Sequence, residues 1–153
     1  MLKSTLDKIE KYLEELTVTT ITLNKIRLLF EYLDRQLSER TDITDGEERI
    51  VKSLIQVGKY GADAIANYVK YANEFFDEIK DGDLDIPHIK LKLEAIYIQM
   101  WGITEQITAL GIIYNTLCVE ERLCDEIKNE QMWEIYRQAE YVMYTIFDYM
   151  TNF

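Results

Sequence analysis

The sequence predicts an all-α protein, a long up-down-up-down four-helix bundle with helices over about 4–38, 45–80, 86–120 and 126–151. Three observations lead there. Apolar residues recur at steps of three and four along most of the chain, which is the spacing of one face of a helix. Only Pro87 and six glycines punctuate 153 residues, far fewer breakers than a β-rich or loop-rich fold carries. The strongest seam runs through Ile89, Leu93, Ile96, Met100, Ile103, Ile107, Leu110, Tyr114 and Leu117, alternating four and three without a slip. From Ala95 to Val119 the only charged residue is Glu105, so the far side of this helix is poor in charge as well. A helix apolar on most sides is expected inside a protein, here as the axis around which the others pack. It is not a membrane span, because Gln99, Thr104, Glu105, Gln106, Thr108, Asn115 and Thr116 interrupt any run near the roughly 20 apolar residues required.

The first helix opens at Ser4 or Thr5, with Asp7 where a carboxylate suits the helix dipole. Its stripe is Leu6, Ile9, Leu13 and Leu16, then Leu23, Ile26, Phe30, Leu33 and Leu37. Between these blocks lies Thr17-Val18-Thr19-Thr20-Ile21-Thr22, a β-branched run of weak helix propensity. The stripe resumes nearly in phase, with Thr20 in the missing position, so one continuous helix is expected, with residues 17–22 as the place for a kink.

Thr44-Asp45-Gly46-Glu47 has the form of a capping box and places Thr44 as the cap of the second helix. That helix carries two adjacent seams: Ile50, Leu54, Val57, Gly61, Ala64, Tyr68, Tyr71, Phe75 and Val51, Ile55, Gly58, Ala62, Ile65, Val69, Ala72, Phe76. The wide apolar face they make should touch two neighbours. Gly58, Gly61, Ala62, Ala64 and Ala66 form a small-residue patch, expected to let a helix cross closely with Trp101 or an aromatic of the fourth helix filling the space. The alternative is a hinge or ligand notch at Gly58 to Gly61.

Asp85 with Pro87 makes a strong start for the third helix. Glu120, Glu121, Asp125 and Glu126 mark the next turn. The fourth helix reads Met132, Tyr136, Ala139, Met143, Ile146, Met150 and Phe153. No repeat or linker appears, so residues 1–153 are read as one domain, long enough to bury a core without disulfides. The two cysteines, Cys118 and Cys124, do not make a disulfide scaffold, and the N-terminus reads as an amphipathic helix start rather than a leader. A cytoplasmic protein is expected.

Catalytic vocabulary is sparse. The one histidine, His88, sits in a helix's first turn, three residues after Asp85. A di-iron bundle needs two such acid-histidine elements and further inward carboxylates, and no second histidine exists. Asp81, Asp83 and Asp85 alternate as in an EF-hand loop, but Ile86 stands where that loop needs glycine and Lys92 where it needs glutamate. Nothing calls for a resident metal, cofactor or catalytic residue.

One pattern loosely resembles a known family. Glu47-Glu48 followed by Glu74-Phe75-Phe76-Asp77, and again Glu14-Glu15 followed by Glu31-Tyr32-Leu33-Asp34, resemble the paired carboxylates of the all-helical nucleotide pyrophosphohydrolases of the MazG type. The resemblance implies magnesium held between antiparallel helices and hydrolysis of a nucleotide diphosphate linkage. Val51 departs from the pattern, taking the place of a further glutamate.

Charge is more informative. The net charge of −11 disfavours direct binding to nucleic acid or to an anionic membrane. Residues 86–119 carry two basic and two acidic groups, so the acidic excess belongs to the other segments and gathers at their turns. One end of an up-down bundle would collect Asp42, Asp45, Glu47 and Glu48 beside Glu120, Glu121, Asp125 and Glu126. The leading expectation is therefore a non-catalytic module that docks by its acidic end on the basic surface of another protein. An inhibitor or immunity-type protein, bacterial or phage, has that character by analogy of class. The alternatives are the magnesium-dependent hydrolase and a purely structural oligomerising subunit. Eleven tyrosines, with Tyr144, Phe147, Tyr149, Met150 and Phe153 near the C-terminus, predict a homodimer through the last helix.

Overall fold

The computed structural model describes residues 1–39, 41, 44–120 and 129–152. It is an all-α bundle with helices α1 (Leu2–Thr20), α2 (Thr22–Glu39), α3 (Asp45–Asp81), α4 (Ile86–Tyr114) and α5 (Asn129–Thr151), and a π-helical segment, Asn115–Glu120, that prolongs α4. Residues 121–128, which include part of the third predicted turn and Cys124, lie outside the described residues.

The first predicted helix is two helices in one rod. The stripe is buried as expected, with Ile9, Leu13, Leu16, Leu23, Ile26, Phe30, Leu33 and Leu37 in the core. The ladder nevertheless breaks at Ile21, whose N–H bonds to Val18 O at 3.2 Å and whose carbonyl accepts from Asn24 N at 3.2 Å. The threonine run causes it. Thr17, Thr19 and Thr20 turn their hydroxyls back to the carbonyls of Leu13, Glu15 and Thr17, which loosens the local ladder and bends the helix. Ile21 keeps right-handed helical angles, φ −56° and ψ −32°, so the rod bends without reversing.

Contacts between rods fix the topology. Glu10 meets Lys80, Thr17 meets Asn73, Arg27 meets Asp63 and Asp34 meets Lys59, in reversed order along α3. The α1–α2 rod therefore runs antiparallel to α3, and its register survives the break. Between α3 and α4, Glu78 meets Lys92, Tyr68 covers Gly102 and Gly61 faces Gln106, again reversed. α5 closes the ring by packing on both α4 and α1, where Tyr12 and Tyr141 stack with centroids 5.4 Å apart. The result is the predicted up-down-up-down bundle.

Helix starts follow from caps. Thr44 Oγ1 accepts the Glu47 N–H at 3.3 Å, and Asp85 Oδ1 accepts the His88 N–H at 3.0 Å with Pro87 in the first turn. Gly82 ends α3 where only a residue without Cβ fits, since a Cβ there would lie 2.6 Å from Glu78 O.

The small-residue patch is a close crossing, but its filler comes from the other side. The buried ring of Phe30 on α2 lies over Gly58, where a Cβ would sit 2.6 Å from it. Trp101 is 53 % exposed and fills nothing there. Of the two seams on α3 the second is core; of the first, Gly61 is buried and Leu54, Tyr68 and Phe75 pack at the core's edge, while Ile50, Val57 and Tyr71 are exposed. The core line on α5 is Met132, Ile135, Ala139, Val142, Ile146 and Tyr149, with the expected Tyr136, Met143 and Met150 at its edge. Both lines step by threes and fours, and packing between α4 and α1 selects the one carrying β-branched Ile135 and Val142.

The largest departure is α4. Its seam is buried from Ile89 to Leu117, yet the helix is one side of a four-rod square and not an enclosed axis. Its outward face is bare.

Candidate functional site

The expected carboxylate surface is only partly described. Asp45 and Glu47 are exposed in the first turn of α3 and Glu48 is half-buried beside them. Their place follows from helix chemistry, because carboxylates stabilise the positive end of a helix dipole. Asp42, Glu121, Asp125, Glu126 and the side chain of Glu120 lie outside the described residues. The antiparallel register does put the start of α3 and the end of α4 at one end of the bundle.

Arg49 and Lys52 follow these carboxylates on α3, and five basic side chains are paired elsewhere on the bundle. Lys80 bonds to Glu10 at 2.7 Å, Lys59 to Asp34 at 3.5 Å, Arg27 to Asp63 at 3.6 Å, Lys92 to Glu78 and Arg137 to Glu134. Four of these five bridges join neighbouring rods along their length. The Glu10 carboxylate holds the Lys80 ammonium above its ordinary range. Such exposed pairs are worth little in stability, about 0–1 kcal/mol each, but they neutralise the sides of the bundle.

At the opposite end Asp81 and Asp83 are exposed and Asp85 is occupied as a cap. His88 Nδ1 lies 2.5 Å from Asp85 Oδ1. That bond, then the backbone N–H of His88, holds the Asp85 carboxyl below its usual value. His88 is thus part of a helix start on the surface.

The two carboxylate pairs that resemble the pyrophosphohydrolases are not assembled as that resemblance implies. Glu47-Glu48 and Glu74/Asp77 stand near opposite ends of α3, about 40 Å apart at 1.5 Å per residue. The register does bring Glu14 of one pair level with Asp77 of the other. All of Glu14, Glu15, Glu74 and Asp77 are exposed, however, and among the described residues no three acidic, histidine or cysteine side chains converge on a point that could hold a metal ion.

Two concavities were not foreseen. A groove of about 310 Å³ opens at the Ile21 break, between Thr17, Asn24 and Arg27 on one side and Ala62, Ala66 and Asn73 on the other. The groove is not the alternative notch at Gly58 to Gly61: it lies at Ala62 and Ala66, and Phe30 occupies the space over Gly58. A smaller cleft, about 120 Å³, lies between α4 and α5 and is lined by Thr108, Gly111, Ile112, Met132 and Trp133.

Above that cleft is the outer face of α4. Leu91, Ile98 and Ile112 are 63 %, 55 % and 65 % exposed, with Trp101 between them. Along α5, Trp133, Tyr144 and Phe147 are each more than half exposed. Tyr144 donates to Glu140 Oε2 at 2.6 Å, and that carboxylate raises the phenol's pKa. Of the residues expected at an oligomer interface, Tyr144 and Phe147 are exposed on α5. Tyr149 is not, being 2 % exposed in the core, and Met150 is half-buried. Phe153 lies outside the described residues. The signal that could have revealed the face is the repeat 91, 94, 98, 101, 105, 108, 112, a second heptad on the opposite side of α4.

Among the described residues no helix is long and apolar enough to cross a membrane. No family model matches the chain, and neither a curated protein nor a solved structure gives a significant match.

Proposed function

We propose that this chain is a non-catalytic protein-binding module of the cytoplasm whose acidic end docks on a basic surface of another protein, as an inhibitor or immunity-type protein would. One observation carries the reading. Arg27, Lys59, Lys80 and Lys92 are drawn into bridges between neighbouring rods, while three carboxylates, Asp45, Glu47 and Glu48, are gathered in the first turn of α3, with Asp45 and Glu47 exposed and in none of those bridges. Neighbouring Asp42, Glu120, Glu121, Asp125 and Glu126 add to the same end by sequence. Such a surface steers a basic partner and sets the rate of encounter more than the final affinity.

The test is capture from the native cell with mass spectrometry, repeated as salt rises. A basic protein should be retained at low ionic strength and released by roughly 0.5 M salt, where the Debye length is well below the roughly 8 Å of physiological conditions. Charge reversal at Glu120, Glu121, Asp125 and Glu126 should slow its association and leave the helical spectrum intact. Magnesium-dependent turnover of a nucleoside triphosphate to the monophosphate, abolished by Glu48→Gln or Asp77→Asn, would overturn this reading in favour of the hydrolase.

A further inference from the structure

We infer that the outer face of α4, together with the flank of α5 beside it, is covered by a second copy of this chain in an antiparallel, two-fold symmetric dimer. Three features lead there, none of which depends on the acidic end.

The first is the pattern. Leu91, Ile98 and Ile112 occupy one heptad phase and Trp101 the intervening one, with Glu94, Glu105 and Thr108 completing the stripe. Residues at this spacing pack against another helix that presents the same spacing. α4 is such a helix, so the face is complementary to itself under a two-fold axis.

The second is area. An aromatic side chain carries roughly 150–250 Å² and about half of Trp101, Trp133, Tyr144 and Phe147 is bare, so these four with Leu91, Ile98 and Ile112 leave on the order of 700–800 Å² open. The largest apolar patch on an ordinary monomer is about 300–600 Å², and a standard interface uses about 800 Å² on each partner. The patch is continuous. Trp133 and Ile112 line the same cleft where α5 packs on α4, Trp101 lies on the same face of α4 as Ile112, and Phe147 is one turn from Tyr144 on α5.

The third is charge. A chain of net charge −11 repels its own copy over most of its surface, and residues 86–119, with two basic and two acidic groups, are where that repulsion is least. A basic partner would find little to bind here. A parallel pairing would set Glu105 against its own copy. An antiparallel pairing centred near Trp101 places Leu91 opposite Ile112 of the second copy and separates the two Glu105 carboxylates by about seven residues, roughly 10 Å along the helix.

The test is sedimentation velocity and light scattering of the full chain across micromolar concentrations. The parent should have twice the 18.1 kDa chain mass, and roughly 1 M salt should leave the dimer in place, unlike docking through the acidic end. Trp101→Lys and, separately, Ile98→Lys should each give a helical monomer, with association weakened at least tenfold. Glu47→Lys should leave the dimer intact, so failure of the acidic-end reading and failure of this one are told apart. A parent that stays at 18.1 kDa at every concentration, or a dimer that persists in both folded lysine variants, would overturn the inference. So would a dimer that dissolves in salt.

Discussion

Along one side of α4, Leu93, Ile96, Met100, Ile103, Ile107 and Leu110 are sealed against α3 and α5; along the other, Leu91, Ile98, Trp101 and Ile112 stand more than half bare. Both sides have heptad spacing. The difference is continuity. The inner line has no charged or small polar member from Ile89 to Leu117, while the outer line is broken by Glu94, Glu105 and Thr108. Periodicity says that a face will meet another helix, and interruptions decide whether that helix belongs to the same chain. The inner face has to be desolvated for the bundle to exist, whereas the outer one can wait for a partner.

The comparison is broken most severely by a carboxylate on each side. Ile107→Asp buries a charge with no partner and should remove at least about 4 kcal/mol, enough to unfold a domain of ordinary stability. Ile112→Asp, five residues on and facing out, should change monomer stability by no more than about 0.5 kcal/mol. Urea melts followed by circular dichroism, at concentrations low enough for the chain to be monomeric, measure both. Equal melting of the two variants would mean that the faces have been assigned wrongly.

Glycines give a finer contrast. At Gly58 a Cβ would press into the buried Phe30 ring, so Gly58→Ala should lose about 1–3 kcal/mol by overpacking, less what alanine gains in helix propensity. At Gly111 a Cβ meets nothing within 4 Å, and Gly111→Ala should gain about 0.5–1 kcal/mol. The smallest effect is at the start of α4. Because its folded carboxyl titrates below the ordinary value, Asp85 contributes stability above about pH 4 that is lost as the pH falls through the lower folded value. Asp85→Asn should flatten that acid-side fall in melting temperature.

What was legible in the sequence follows the same logic. The helices, the Thr44 and Asp85 caps and the inner seam of α4 were readable because each is fixed by local spacing or by a single side-chain bond. The break at Ile21 was visible only as a threonine run, since the choice between bending and continuing depends on hydroxyls turning back to Leu13, Glu15 and Thr17. The core line of α5 was displaced by one position because Ile135-Val142-Tyr149 and Tyr136-Met143-Met150 are equally periodic, and packing against two neighbours settled it. Tyr149 was expected at an interface for its amphipathic ring and is buried instead. Phe30 over Gly58 was beyond reach, because which aromatic fills a gap between helices is set by their register and not by either sequence alone. At the candidate sites, sequence located Asp45 and Glu47 at an exposed helix start, yet passed over the outer stripe of α4 by reading its low charge as enclosure.

That stripe is where the account is most exposed to test. With Trp133→Phe, Trp101 becomes the only tryptophan, and its accessibility to acrylamide can be followed as the protein is diluted. If a second copy covers the outer face of α4, quenching should rise and emission should shift to the red as the dimer dissociates, with helicity unchanged. Quenching that is high and constant from nanomolar to high micromolar concentration would show that water, and not a second copy, covers Trp101.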